Sequence, residues 1–475
     1  MSGTQGVLPV VLEVCEDDSS VTARAGLLVV VETLRALGMP KVVQEELKVR
    51  RRRGGSTEYA NIEWLVTLLA SGGECLDDID TLRADRGLCR LLGSEPPSAD
   101  VLRRFLYEFD DPKLAKQAMD ARKPDQKAYR IPENAPLAAL GRVNAALVRR
   151  GVAGLEHRVA TLDHDATVIE SHKQEALAHY KGGRGYQPAV IFCSEADLVL
   201  ADEFRDGNVP AGMANLDLIR RGFAELPSGV EQRFFRADSA CYEERVLKWL
   251  ADPKRKDGPS GTIGFTISAD MTPQLRALCA AVPDSDWTLA DDRVDETVTC
   301  ADVVFTPGDW PKDAAPLRYV AMRIRKKQGV LFADGSDVRY LAIVSNRWEP
   351  SAPELLRWHW GKAGTIEHVH DVTKNDLGAG VLPCGRFGAN AAWYRLSLLT
   401  YNVQSILKRR ALPPELRRAR PKRLRFSVFT VPGRIISHAG RLILRIGKSA
   451  EQVAGLLAAR ARLARLAAEL AVMVT

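Results

Sequence analysis

The stretch Val159 to Leu250 restricts the fold more than any other part of the chain, because its apolar period changes from strand to helix and back. Val159–Ile169, Ala189–Cys193 and Leu198–Phe204 alternate or run apolar at the period of strands, and Ser194-Glu195-Ala196-Asp197 is a short polar connection suited to a hairpin. A helix is expected over 213–226, a strand over Arg233–Ala237 and a second helix over Tyr242–Leu250.

Three strands, a helix, a strand and a helix predict an α/β core of the ribonuclease H type. Residues 261–347 interrupt it with a β-rich insertion: Gly261–Ser268, Thr297–Thr306, Leu317–Arg325 and Val338–Ser345. Helix returns at Ala352, and Asn390–Arg410 and Ser449–Val474 are expected as further helices. Before the core, Ala25–Leu37, Ile62–Leu69, Val101–Phe109 and Leu137–Val148 show helical spacing, with Ser98 placed to cap the third. A helix-turn-helix and a plain bundle are both open there. The expected organisation is a helical DNA-end-binding region over 1–155, core over 156–260, insertion over 261–347, core again over 348–400, and a basic helical region over 401–475.

Charge is distributed unevenly. Residues 401–475 hold 16 Lys or Arg against three acids in a chain of net charge +7, which leaves the first 400 residues acidic. The densest run is Lys408, Arg409, Arg410, Arg417, Arg418, Arg420, Lys422, Arg423 and Arg425, and Arg50–Arg53 form a second cluster. Basic runs at both ends of an otherwise acidic chain point to a polyanion such as nucleic acid. No apolar run is long enough to span a membrane. The acids Glu13, Glu16, Asp17 and Asp18 stand where a leader needs positive charge, and the eight cysteines are scattered without a CxxC pair, so a cytoplasmic protein is expected.

Asp163 and Asp165 stand two apart in an apolar strand and so share a face, Asp238 follows the strand Arg233–Ala237, and Glu367 lies in a segment read as one helix from Gly361 to Lys374. Lys374 is two turns beyond Glu367 and Trp360 two turns before it, on that same face. Carboxylates from two strand ends and a helix are the hard oxygen ligands that Mg²⁺ or Mn²⁺ prefers, and two such ions suit phosphoryl transfer. A lone strand-end Asp is more often a cap. The histidines at 164, 172, 179, 359, 368 and 370 do not make a zinc motif, since His368 and His370 diverge on a helix and no cysteine lies at ligand spacing.

The order strand Asp, strand-end Asp, β-rich insertion, helix Glu resembles the DDE transposases of bacterial insertion sequences that carry a β-insertion before the glutamate, and most resembles the group numbered thirteen-eighty. Leu162-Asp163-His164-Asp165-Ala166-Thr167 is similar to that family's first motif, Gly185-Tyr186-Gln187-Pro188 and Arg205-Asp206-Gly207-Asn208 to two further segments, and Arg236-Ala237-Asp238-Ser239 to the second-Asp motif. Val431-Pro432-Gly433-Arg434-Ile435-Ile436 through Leu444-Arg445 resembles its C-terminal motif, so that the resemblance runs from about residue 20 to 448.

The resemblance implies a cut-and-paste DNA transposase, an endonuclease and strand-transfer enzyme with two Mg²⁺ or Mn²⁺ ions on Asp165, Asp238 and Glu367, and Asp163 supporting them from behind. It further implies a hairpin intermediate, action on the terminal inverted repeats of its own element and on target DNA, and a homodimer on DNA. At the family's usual Tyr and Arg positions before the glutamate stand Trp360 and Ala363, and Lys362, one residue early, is the expected substitute for the arginine. DNA contacts are expected from Lys374, Lys362, Trp360, Lys173, Arg184, Tyr186, Arg205 and Asn208. A nuclease of the same fold that only hydrolyses DNA, and a decayed copy that binds without cutting, are the rival readings.

Overall fold

The computed structural model describes residues 18–473 apart from 50–53, 123–124, 127, 228, 309, 312–313, 328 and 448–449. The basic cluster Arg50–Arg53 lies outside the described residues. The chain divides into two compact units. One comprises the described residues up to Glu108 together with 376–378 and those from Val403 on; the other comprises 109–375 and 379–402.

The second unit is built on a nine-stranded sheet. Its strands are β1 (Val159–Ala166), β2 (Ala189–Cys193), β3 (Leu198–Glu203), β4 (Gln232–Ala237), β5 (Ile263–Ser268), β6 (Thr288–Asp292), β7 (Glu296–Val303), β8 (Arg318–Lys326) and β9 (Val338–Ser345). They lie in the order β6-β7-β8-β9-β5-β4-β1-β2-β3. The β1–β2–β3 ladder is antiparallel, whereas β4 runs parallel to β1 and β5 parallel to β4. This 3-2-1-4-5 order with one antiparallel meander is the ribonuclease H arrangement expected from the sequence. Residues 263–268, reckoned with the insertion from their place in the chain, are the fifth strand of this core.

Burial explains why these segments became strands. All five residues of β2 and all six of β3 are buried, as expected for strands covered on both faces. Helix α1 (Ala135–Val152) packs on β3, and α2 (Asn215–Ala224) packs on β2 and β3. At Gly222 a Cβ would lie 2.5 Å from Cγ2 of Ile191, so only glycine lets α2 approach β2 this closely. Helix α3 (Glu244–Ala251) packs on β5.

Beyond β5 the insertion does not form a separate body. β9 pairs antiparallel with β5, and β8, β7 and β6 follow as one meander. Helix α4 (Ala352–Trp360) lays Leu355 and Leu356 on a core of Ala290, Val298, Cys300, Val320, Met322 and Ile343. The chain then turns through 361–365 into α5 (Ile366–Asp376), and α6 (Phe387–Arg410) follows. At the far edge of the sheet Asn402 of α6 bonds the β3 backbone with both ends of its amide, accepting from Val199 N at 2.8 Å and donating to Val199 O at 2.8 Å. Arg395, fully buried on α6, is held by Asp202 of β3, Glu133 and the Leu137 carbonyl.

The other unit holds the helices Leu28–Ala36, Met39–Glu46, Glu58–Ser71 and Ala99–Tyr107, the last capped by Ser98, and the long helix Ala450–Met473. Helix Ala450–Met473 packs on Leu28–Ala36, with Arg460 paired to Glu32 at 2.8 Å. The tail, expected to be helical, also carries a hairpin, Gly433–His438 with Arg441–Ile446, whose first strand pairs with Val21–Thr22. Of the densest basic run, Arg420 and Lys422 reach the Asp376 carboxylate at 3.1 Å, while Arg417, Arg418, Lys422 and Arg423 are exposed. No helix among the described residues is long and apolar enough to cross a membrane.

Candidate active site

β1 and β4 are parallel neighbours in which Asp163 stands opposite Arg236. Two residues on, each strand delivers an aspartate to the same sheet end: Asp165 on β1 and Asp238 at the turn that follows β4. Ligand sites of open α/β sheets gather at such strand ends. Asp238 caps the turn Ser239–Cys241, accepting from Ala240 N at 3.1 Å. Burial pushes its carboxyl up; the Lys362 ammonium opposes the shift and the charge of Asp165 adds to it.

Lys362 reaches this pair from the turn between α4 and α5. Its ammonium lies 3.4 Å from Asp165 Oδ2, and the residue is only 8% exposed. From α5, Lys374 donates to Thr167 Oγ1 at 2.9 Å, and burial, followed by the nearby Lys181, lowers its pKa. His370 of α5 is buried with its ring against the backbone of Asp165; burial, then Lys374 and Lys362, bring it down to about 3, so it is neutral. On the opposite face of β1, the buried His164 places Nδ1 3.2 Å from Cys241 Sγ, and burial holds it well below the ordinary histidine value. His359 is held by Thr266 at 2.8 Å and Ser268 at 3.2 Å. These histidines are core residues.

Glu367 stands on the first turn of α5, exposed, on the face that carries Lys374 two turns later. Among the described residues no group of three or more His, Cys, Asp or Glu is gathered as a metal site. The two aspartates are thus brought together, and the cation beside them is the Lys362 ammonium. A pair of carboxylates that draws in a buried ammonium, one of them kept above its ordinary value, is a donor set that fits a hard divalent cation.

Several expectations change. The segment Gly361–Lys374 is not one helix: a turn over 361–365 separates α4 from α5, so Trp360 does not share a helix face with Glu367. Trp360 instead packs half-buried on the insertion core, with Arg293 5.5 Å over its ring. Tyr186 and Arg205 are buried and cannot touch DNA directly. The Tyr186 ring packs on Phe204 and Phe387, and Arg205 is spent on Glu203 and Asn215. Asn208 is half-buried beside them. Lys173 is exposed; Arg184 is exposed too, but its guanidinium is bound to the carbonyls of Ala176 and Gln174. Asp163 is fully buried in a bidentate pair with Arg236, at 2.7 and 2.9 Å, and is not free to bind an ion. Sequence reasoning missed Arg236, although its place two residues before Asp238 mirrors that of Asp163 before Asp165.

The chain matches the family model described as transposase DDE domain group 1 over residues 10–468. No curated protein matches. Among solved structures, a cryo-EM structure of a piggyBac transposase synaptic complex with hairpin DNA matches with a TM-score of 0.39 and 11% identity, over 80% of this chain and 74% of that one.

Proposed function

Because the chain belongs to the DDE transposase domain family, group 1, we propose that it cuts and joins the ends of its own mobile element, with Asp165, Asp238 and Glu367 as the catalytic carboxylates. The meeting of Asp165 and Asp238 at adjacent strand ends, with a lysine drawn onto them, carries this reading. The two aspartates would hold divalent cations, Mg²⁺ or Mn²⁺, with Glu367 completing the set from α5. Such ions lower the pKa of an attacking water or 3′-hydroxyl and neutralise charge on the leaving oxygen.

The protein's own groups do the rest. Neutral His370 packs against the Asp165 backbone without adding charge. Lys374 on the Glu367 face, and Lys362 when a phosphate draws it from Asp165, supply positive charge to the DNA backbone. Exposed Lys173 extends that contact, and the exposed arginines of the tail offer a further basic surface to DNA. A cut-and-paste reaction through a hairpin at the flanking cut, a homodimer holding two terminal inverted repeats, and membership of the group numbered thirteen-eighty belong to the same reading and rest on the sequence motifs.

One assay tests the function. A supercoiled plasmid carrying the genomic flanks of the gene is incubated with the protein and Mn²⁺, and nicked and joined products are scored separately. Joined product supports the transposase. Nicking without joining identifies a hydrolytic nuclease, and binding without nicking a decayed copy.

A further inference from the structure

Each of the three candidate carboxylates is preceded, two residues earlier, by a residue of one hydrogen-bonded cluster, buried at Asp163 and Arg236 and half-buried at Thr365: Asp163 before Asp165, Arg236 before Asp238, Thr365 before Glu367. Arg236 grips both oxygens of Asp163, and Thr365 Oγ1 donates to Asp163 Oδ2 at 2.5 Å. Ser194 donates to the same oxygen at 2.7 Å. The remaining arm of Arg236 donates to the Trp358 carbonyl near the end of α4, at 2.7 Å. That reach depends on Gly361, where a Cβ would come within 2.7 Å of the guanidinium.

The cluster joins the three chain segments that must be held in register, β1, β4 and the α4–α5 turn. A buried ion pair is costly to assemble and contributes little net stability compared with an apolar replacement, so its presence at this point asks for another explanation. Parallel pairing sets Asp163 against Arg236, but no backbone ladder ties the α4–α5 turn to either strand. The Thr365 hydroxyl ties the turn to β1 and the Trp358 carbonyl ties the end of α4 to β4, beside the Lys362–Asp165 pair.

We propose that Asp163, Arg236 and Thr365 are positioning residues: a second triad, two residues behind the first, that fixes the start of α5, and hence Glu367, relative to the two aspartates. The proposal rests on the assignment of Asp165, Asp238 and Glu367 given above. Through Thr365 it acts on the placement of Glu367 and not on DNA affinity.

Thr365→Val removes the hydroxyl while keeping shape, and Thr365→Ser keeps the hydroxyl. The full chain is assayed with Mn²⁺ on the plasmid carrying the gene's genomic flanks, under single-turnover conditions, beside Asp165→Asn as a control. Thr365→Val should slow nicking at saturating protein by about 10–100-fold, the usual cost of losing an outer support of a metal site. The protein concentration for half-maximal rate and the unfolding midpoint should stay at the parental values, and Thr365→Ser should restore the rate. Parental nicking by Thr365→Val, or a loss that tracks a lowered midpoint or fails to recover in Thr365→Ser, overturns the proposal. If Asp165→Asn also nicks normally, the carboxylate assignment is what has failed; if Asp165→Asn is inactive while Thr365→Val is normal, the tether alone is refuted.

Discussion

The Lys362 ammonium lies 3.4 Å from Asp165 Oδ2, and its charge is felt at Asp238 as well. One lysine is therefore the counter-charge for both aspartates. Lys362→Met should destabilise the protein in chelator by about 3 kcal/mol, the low end for breaking a mostly buried pair. It should also tighten Mn²⁺ binding, because the ammonium no longer competes for Asp165. Urea unfolding in EDTA and titration calorimetry with Mn²⁺ measure the two effects. Equal stability of parent and variant in EDTA would show that the pair contributes nothing.

Asp165→Asn, Asp238→Asn and Glu367→Gln should each abolish nicking, by about a thousandfold or more, since each removes a charge worth several kcal/mol to phosphoryl transfer. Each keeps volume, so binding to the gene's flanking DNA, read by gel shift, should be nearly unchanged. Glu367 is exposed, so its variant should also unfold at the parental midpoint. Full nicking by any one variant would remove that residue from the assignment.

The exposed members of the basic run, Arg417, Arg418, Lys422 and Arg423, are the ones placed to meet phosphate, Lys422 only by giving up its pair with Asp376; Arg423 also lies 5.9 Å over the exposed ring of Phe426. Replacing the four by Ala should flatten the dependence of log K on log salt by about 0.9 for each phosphate that the side chains had neutralised. Fluorescence anisotropy with a random duplex from low to moderate salt gives the slope. An unchanged slope would assign this surface to solvent or to protein.

Burial raises the Asp206 carboxyl from the ordinary 3.8 to about 7. The folded protein therefore holds this proton when the unfolded chain has released it. Stability should fall as pH rises from 3.8 to about 7 and then level off. Asp206→Asn removes the dependence: it should match the parent near pH 4 and exceed it by up to a few kcal/mol at pH 8. Urea unfolding at the two pH values decides; a constant difference would mean that Asp206 titrates normally.

The core was legible because its strands are marked by full burial: Ala189–Cys193 is an unbroken apolar run and appears with those bounds as β2. β6 was not legible. Thr288-Leu289-Ala290-Asp291-Asp292 is a mostly exposed edge strand whose aspartates disfavour the assignment. The break between α4 and α5 was missed because apolar spacing continues through it, although Gly361 and Gly364 are the punctuation that should have been read. The hairpin of the tail was hidden by its own exposure, since Arg441–Ile446 buries none of its residues. At the site, residue type and spacing located the aspartates, but composition cannot say which way a polar side chain points. Arg205 and Tyr186 carry the chemistry of a DNA contact and face the core, where they find Glu203 and Asn390.

The amide of Asn402 occupies the hydrogen-bonding groups of Val199 that a neighbouring strand would use. At the other end of the sheet, β6 meets β7 through a bulge and carries Asp291 and Asp292. Both ends are thereby made poor templates for strand addition. A nine-stranded sheet with open edges would ordinarily invite a tenth strand from another molecule. Here one helix-borne side chain and two acids oppose it, so this sheet is closed to continuation by a strand from a second molecule.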